Sequence, residues 1–213
     1  MSNPVTPAPS VLCIYGSPRI RGNTDRLLDA FAAGVEEAGG TAQRVYLRNL
    51  TISPCREIYA CEREGRCSIN DDMRPLYDVL RTTDAIVLAS PIMFYSVSAH
   101  TKAFLDRCQA FWCIKYRRGE RVAQHPLLLR KGVFLSVGGS QGAKLFDGAL
   151  LTMKYFLETV DATLWKSLTY RGIDTAGDID SHPAALAEAH ALGAELTTTV
   201  RAELMSAGPQ ATV

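Results

Sequence analysis

Short apolar runs alternate along the chain with longer stretches whose apolar residues recur every three or four positions. Val11 to Tyr15 is the first run, Ala85 to Ala89 the second and Val133 to Val137 the third. None of them alternates apolar with polar, which is the pattern of strands covered on both faces. Less apolar segments at Arg44 to Leu47 and Ala162 to Leu168 read as two further strands. The helical period runs over Asn23 to Ala38, where Leu27, Leu28, Phe31 and Val35 share one stripe that Gly39-Gly40 ends. Asp71-Asp72 caps a short helix that turns Met73, Leu76, Tyr77 and Leu80 inward. Further helices span Ala99 to Trp112, Lys144 to Val160 and Pro183 to Met205. Strands interleaved with helices in this way predict an α/β fold, a doubly wound three-layer sandwich around a five-stranded parallel sheet. Ligands of such sheets lie beyond the carboxyl ends of the strands, where the winding reverses. The loops after the first, third and fourth strands are therefore the candidate site.

The chain has 213 residues, enough for one large domain. Residues 10–205 are expected to form it, between a proline-rich flexible segment at 1–9 and a tail at 206–213. Lys and Arg number 23 against 22 Asp and Glu. That balance argues against a nucleic-acid binder, which carries a strongly basic surface. No run of about 20 apolar residues is present to span a bilayer, and the opening residues lack the basic start and apolar core of a signal peptide. The expectation is a cytoplasmic protein with no membrane partner, its six cysteines reduced.

Gly16-Ser17-Pro18-Arg19-Ile20-Arg21-Gly22-Asn23-Thr24 joins a buried strand to a helix start. Free N–H groups and the helix dipole make such a junction an anion site. The Ser17 and Thr24 hydroxyls, the Asn23 amide and the Arg19 guanidinium add donors around one phosphate. Five residues separate Gly16 from Gly22 and Asn23 stands where a Walker A loop has lysine, so a single terminal phosphate suits the loop better than a triphosphate. The loop after the third strand, Pro91-Ile92-Met93-Phe94-Tyr95-Ser96, offers an apolar, aromatic surface to a flat heteroaromatic ligand, or else packs into the core. Gly138-Gly139-Ser140 after the fourth strand lets backbone approach a ligand closely. Gly138 to Gly142 also spells Gly-x-Ser-x-Gly, the nucleophile elbow of a serine hydrolase, with Asp174 or Asp178 and His182 or His190 in the matching chain order. That reading leaves the anion loop unexplained.

Together the segments GSPRIRGNT, SPIMFYSVSAHTKAFLDRCQAFW and FLSVGGSQG, with the following FDGALLTMKYFLETVDA, resemble the flavodoxin-like NAD(P)H-dependent FMN reductase family, including its iron–sulfur flavoprotein branch. The resemblance covers residues 10 to 200. It implies that Ser17, Arg19, Asn23 and Thr24 hold the FMN phosphate. Pro91, Ile92, Met93, Phe94, Tyr95 and Ser96 would line the isoalloxazine, and Gly138, Gly139 and Ser140 its ribityl chain and ring edge. FMN would take a hydride from NAD(P)H and pass electrons to flavin, quinone or another small acceptor, so no catalytic side chain need be assigned. A flavodoxin-like electron carrier or an iron–sulfur relay is the alternative, although a net charge of +1 gives such a carrier little steering.

Cys55, Cys61 and Cys67 lie in the polar stretch from Thr51 to Asn70, which reads as one long loop. Iron–sulfur relatives carry four cysteines here, one of them at the place of Ile58. Four thiolates normally hold a cubane cluster. This chain keeps three in the loop and would need a distant thiol such as Cys108 or Cys113, so inert or redox-sensitive thiols are the expectation and a metal or cluster is not. The segment Phe111 to Arg121 is aromatic, then basic, a composition enriched at subunit interfaces. With relatives that form dimers or tetramers, it suggests a homo-oligomer; Arg117, Arg118 or Arg121 meeting nicotinamide phosphates, or a solvated basic turn, are the other readings.

Overall fold

The computed structural model describes residues 8–207; positions 1–7 of the flexible segment expected at 1–9, and 208–213 of the tail expected at 206–213, lie outside them. The first strand, β1, covers Ser10–Tyr15 and leads through the glycine loop into α1, Asn23–Glu37. Strand β2 covers Thr41–Tyr46, starting three residues earlier than its apolar content suggests. It lies at the edge of the sheet with its polar residues exposed, so hydrophobicity marks only its buried end. The expected loop at 51–70 contains a five-residue helix, α2, Ala60–Glu64, too short to set up a period. Helix α3 spans Met73–Thr82 and strand β3 Ala85–Ala89, as expected.

The expected helix from Ala99 to Trp112 is instead α4, Ala99–Arg107, then a short α5, Gln109–Trp112, which opens into a π turn over Cys113–Arg117. Strand β4, Arg130–Gly138, α6, Asp147–Thr159, β5, Ala162–Arg171, and α7, Pro183–Ala207, complete the fold. Helix α7 thus runs two residues into the segment expected as a tail.

All four strand pairings are parallel and the order is β2-β1-β3-β4-β5. This is the flavodoxin-like arrangement, whose winding reverses between β1 and β3. Successive side chains of a strand point to opposite faces. Val11, Cys13, Tyr15, Val87, Val133 and Leu135 accordingly pack under α1 and α7, while Leu12, Ile14, Ile86, Leu88 and Phe134 pack under α3, α4 and α6.

Two buried arginines act as internal tethers. Arg130 donates to Leu80 O at 2.7 Å, to Thr83 O at 2.9 Å and to Val160 O, binding the carbonyl ends of α3 and α6. Burial pulls its pKa down to about 10. Arg107 pairs with Asp71 at 2.5 Å and donates to Ser53 O at 3.0 Å, anchoring the loop between β2 and α3 to α4.

Helices α1 and α7 cross where Gly34 faces His190 and Gly193 faces Phe31. A Cβ on Gly193 would meet the Phe31 carbonyl oxygen at 2.0 Å, and a rigid backbone atom cannot give way as a side chain can. Gly193→Ala should therefore destabilise the fold by about 1–3 kcal/mol through overpacking, read as a lowered midpoint in urea unfolding; an unchanged midpoint would refute the contact.

Candidate functional site

The loop after β1 is pinned at its start. Gly16 N donates to Ala89 O at 2.8 Å and Gly16 O accepts from Ser98 Oγ at 2.5 Å, so β1, the end of β3 and the start of α4 meet there. A Cβ on Gly16 would lie 2.1 Å from Thr101 Oγ1, which makes glycine obligatory. Beyond it the chain folds back on itself. Ser17 Oγ accepts from Arg19 N at 3.1 Å, and Arg21, with φ 53°, donates its N–H to Asp25 Oδ2 at 3.0 Å.

Asp25 in turn pairs with Arg48 at 2.9 Å, and Arg48 Nη1 donates to Ser17 O at 3.2 Å. One buried ion pair therefore holds both limbs of the loop. Burial pushes the Asp25 carboxyl up to about 6, and Arg48 draws it only part of the way back. Sequence reading missed Arg48, which lies outside every glycine-rich segment; its position just after a strand end was the only cue.

The other expected phosphate residues divide by role. Thr24 is buried and its Oγ1 has no hydrogen-bond partner among the described residues. The Asn23 amide is engaged with the chain after β5: it donates to Thr175 O at 2.8 Å and accepts from Gly177 N at 3.1 Å. Arg19 Nη1 reaches the same segment, donating to Asp174 O at 2.9 Å.

Ser17, Arg19, Asn23, Thr24, Pro91, Ile92, Met93, Gly138 and Gly139 line one cleft of about 100 Å3, so three separated loops do converge. A fourth loop joins them through Ile173 and Asp174, which the sequence reading did not anticipate. A Cβ on Gly139 would meet Asp174 Cβ at 2.8 Å, so these two loops touch directly. The alternation of Asp and Gly from Arg171 to Asp180 was the available signal.

Phe94, Tyr95, Ser96 and Ser140 lie outside the cleft. Met93 and Ser96 exchange backbone hydrogen bonds at 2.9 and 3.0 Å, closing a tight turn whose tip is Phe94 and Tyr95. Both tip residues have left-handed backbone, φ 49° and 60°, and the Phe94 ring is fully exposed. Non-glycine residues pay for that conformation, and such strain clusters at ligand sites.

Ser140 Oγ accepts from Gly142 N at 3.2 Å. His190 instead pairs with Glu37 at 2.9 Å, and Asp178 Oδ2 accepts the N–H groups of Asp174 and Thr175. No histidine ring is bonded to Ser140 among the described residues, so the hydrolase constellation is not assembled.

The cysteine loop borders a separate cavity of about 680 Å3, lined by Cys55, Ile58, Cys61, Cys67 and, from α4, Lys102 and Asp106. Cys61 also touches Cys113 of the π turn, with sulfurs 3.6 Å apart. The aromatic and basic segment at 111–121 is correspondingly mixed. Phe111, Cys113 and Ile114 are core residues, while Arg117 pairs with Glu62 and Arg118 with Glu120.

A flavodoxin-like sheet with a polar cleft at its switch point defines the class: a doubly wound α/β protein that takes its ligand beyond the carboxyl ends of the strands. Residues 9–163 match the NADPH-dependent FMN reductases, and the chain belongs to that family, among the FMN-dependent NAD(P)H oxidoreductases. It is 31% identical over 179 residues to an iron–sulfur flavoprotein of Archaeoglobus fulgidus, a match covering 76% of this chain and 86% of that one. A second iron–sulfur flavoprotein of the same organism is 36% identical over 94 residues, 44% of this chain and 43% of the relative. Among solved structures, the NAD(P)H:quinone oxidoreductase from Methanothermobacter marburgensis superposes with a TM-score of 0.68 at 20% identity, over 89% of this chain and all of the other.

The relatives' names imply a cluster, and the donor set here does not fit one. The loop supplies three thiols, Cys55, Cys61 and Cys67, and a further thiol that touches one of them, Cys113, is sealed in the core against Cys61. No group of three His, Cys, Asp or Glu among the described residues is close enough to hold a metal ion.

Asp25 gives the site a pH signature. Its folded pKa lies above the ordinary carboxylate value, so its ionisation costs stability as pH rises through that interval. The melting temperature of Asp25→Asn minus that of the unaltered protein should therefore increase from pH 4 to pH 7. A flat or falling difference in thermal melts would contradict the assignment.

Proposed function

We propose that this chain holds FMN by its phosphate in the loop after β1 and carries electrons from NAD(P)H to a quinone, a free flavin or a similar small acceptor. The observation that carries this reading is the Thr24 hydroxyl, buried in the cleft without a partner. A buried polar group left unsatisfied costs free energy unless a ligand completes it. A phosphate at the mouth of α1 does so, alongside the first N–H groups of the helix and its dipole.

When bound, FMN supplies hydride acceptance from the nicotinamide and onward transfer of one or two electrons. The chain binds and orients. Ser17 and Thr24 offer hydroxyls to the phosphate, Arg19 adds positive charge at the rim, and Asn23 fixes the loop after β5 while its own N–H stays in the helix start. Gly138 and Gly139 admit the ribityl chain with Ile92 opposite, and Ser140 stands just outside. A cleft of about 100 Å3 is too small for a whole flavin nucleotide. Pro91, Met93, Phe94, Tyr95 and Ser96, at the mouth, would hold the ring.

The same exposed aromatic tip supports a homodimer or homotetramer in which a second copy covers the ring. Phe94→Ser should then lower the molar mass found by light scattering; retention of the full assembly would count against that contact.

Thr24→Val removes the hydroxyl at nearly constant volume. FMN affinity should fall roughly tenfold or more, the worth of a hydrogen bond to a charged group, while riboflavin, lacking the phosphate, binds the variant and the unaltered protein alike. Equal FMN affinities in a fluorescence titration would overturn the phosphate assignment. Bleaching of the bound flavin by NADPH or NADH at a catalytic rate separates the reductase from a flavodoxin-like carrier.

A further inference from the structure

We propose that Cys61 and Cys113 form a reversible disulfide, a thiol modification site built where the cysteine loop meets the core. The two sulfurs already touch at 3.6 Å. A disulfide needs them about 2.05 Å apart, so the bond requires a shift of about 1.5 Å shared between two side chains and the short helix α2.

The two cysteines are unequal in a way that suits such a bond. Cys113 is fully buried, flanked in sequence by core residues Phe111 and Ile114. Cys61 is half-buried and lines the large cavity, where a small oxidant in solvent reaches it. Helix α2, which carries Cys61, buries only Ala60. Besides the sulfur contact, its polar links to the π turn are an Arg117–Glu62 pair at 3.7 Å and an Arg118 Nη1 to Arg63 O bond at 3.4 Å, both at the surface. Left-handed residues bracket it, Glu57 and Tyr59 before and Gly65 after, with φ 50°, 59° and 65°. None of its residues belongs to the sheet, so the shift the bond requires displaces no strand.

The remaining thiols lack this arrangement. Cys13 is buried within β1, and Cys108, between α4 and α5, donates back to Phe104 O of α4 at 3.6 Å. Cys55 and Cys67 line the cavity with Cys61 but do not share its sulfur contact.

The oxidant is a hydroperoxide. The Cys61 sulfur takes one oxygen from hydrogen peroxide to give the sulfenic acid and one water. The Cys113 sulfur then attacks it, the S–S bond forms and a second water leaves. Two thiols and one peroxide thus give one disulfide and two waters, and an external dithiol returns the pair to the reduced state.

Burial and the neighbouring Cys113 push the Cys61 thiol up to about 12. The ionisable groups that share the cavity with it are Cys55, Arg56, Glu57, Tyr59, Cys67 and the Lys102–Asp106 pair of α4, with the Arg117–Glu62 pair at the rim. The thiolate is the reactive form, so the pair resists brief exposure and oxidises under sustained peroxide.

The test uses the full chain, purified anaerobically, with iron, sulfide and free thiols assayed first. Peroxide should lower the thiol count from the six of the sequence by two, with the mass of two hydrogen atoms lost, a Cys61–Cys113 peptide in the digest, and full recovery with dithiothreitol. Cys113→Ser should instead accumulate a dimedone-reactive sulfenic acid at Cys61. Cys61→Ser, a change at the cavity wall, should keep all its thiols and form no disulfide. A disulfide joining Cys61 to Cys55 or Cys67, no thiol loss under peroxide, or stoichiometric iron and sulfide bound through Cys61 would each overturn the proposal. Flavin binding plays no part in these readouts.

Discussion

The meeting of two strand ends at Gly16 is the constraint on which the site depends. Its N–H and C=O are both spent on neighbouring loops, and its missing side chain lets the start of α4 approach. The loop after β1 therefore leaves the sheet in one direction, beside the loop after β3. Everything that lines the cleft follows: the helix start, the Ser17 and Thr24 side chains, and the closing contact from the chain after β5.

Charge inside the protein serves geometry more than stability. Arg48, Arg107 and Arg130 each reach carbonyl oxygens of segments far apart in sequence. Removing one partner of a buried ion pair costs far more than the pair itself contributes. Such groups fix where loops go. Arg48 with Asp25 shapes the anion loop, and Arg107 with Asp71 fixes the cysteine loop on α4, so the two loops differ in composition yet are anchored by the same device.

The central strands were legible because burial on both faces demands continuous apolar residues, as at Ala85–Ala89. The glycine loop was legible because Gly16 and Gly22 break a strand–helix junction in a way that admits few uses. Strand β2 was found only in part, since edge exposure permits Thr, Gln and Arg. Helix α2 and the π turn left no periodic trace, being five residues each. The contacts made by Arg48, by Asp174 and between Cys61 and Cys113 were missed for a different reason: each is a meeting of distant segments, and spacing along the chain names the residues at most, never the partners. The engagement of Asn23 with the turn after β5 belongs to the same class.

The cleft is narrow where the loops after β1 and β5 meet, and beside it Phe94 and Tyr95 stand clear of the surface. On the proposed reading, selectivity would reside at one extremity of the coenzyme. A nucleotide shorn of its terminal charge would then lose its grip, whereas the tricyclic head would meet no wall from its own subunit. The scaffold is in this sense a handle rather than a mould, and variety in what is reduced at the open end requires no redesign of what is gripped at the closed one.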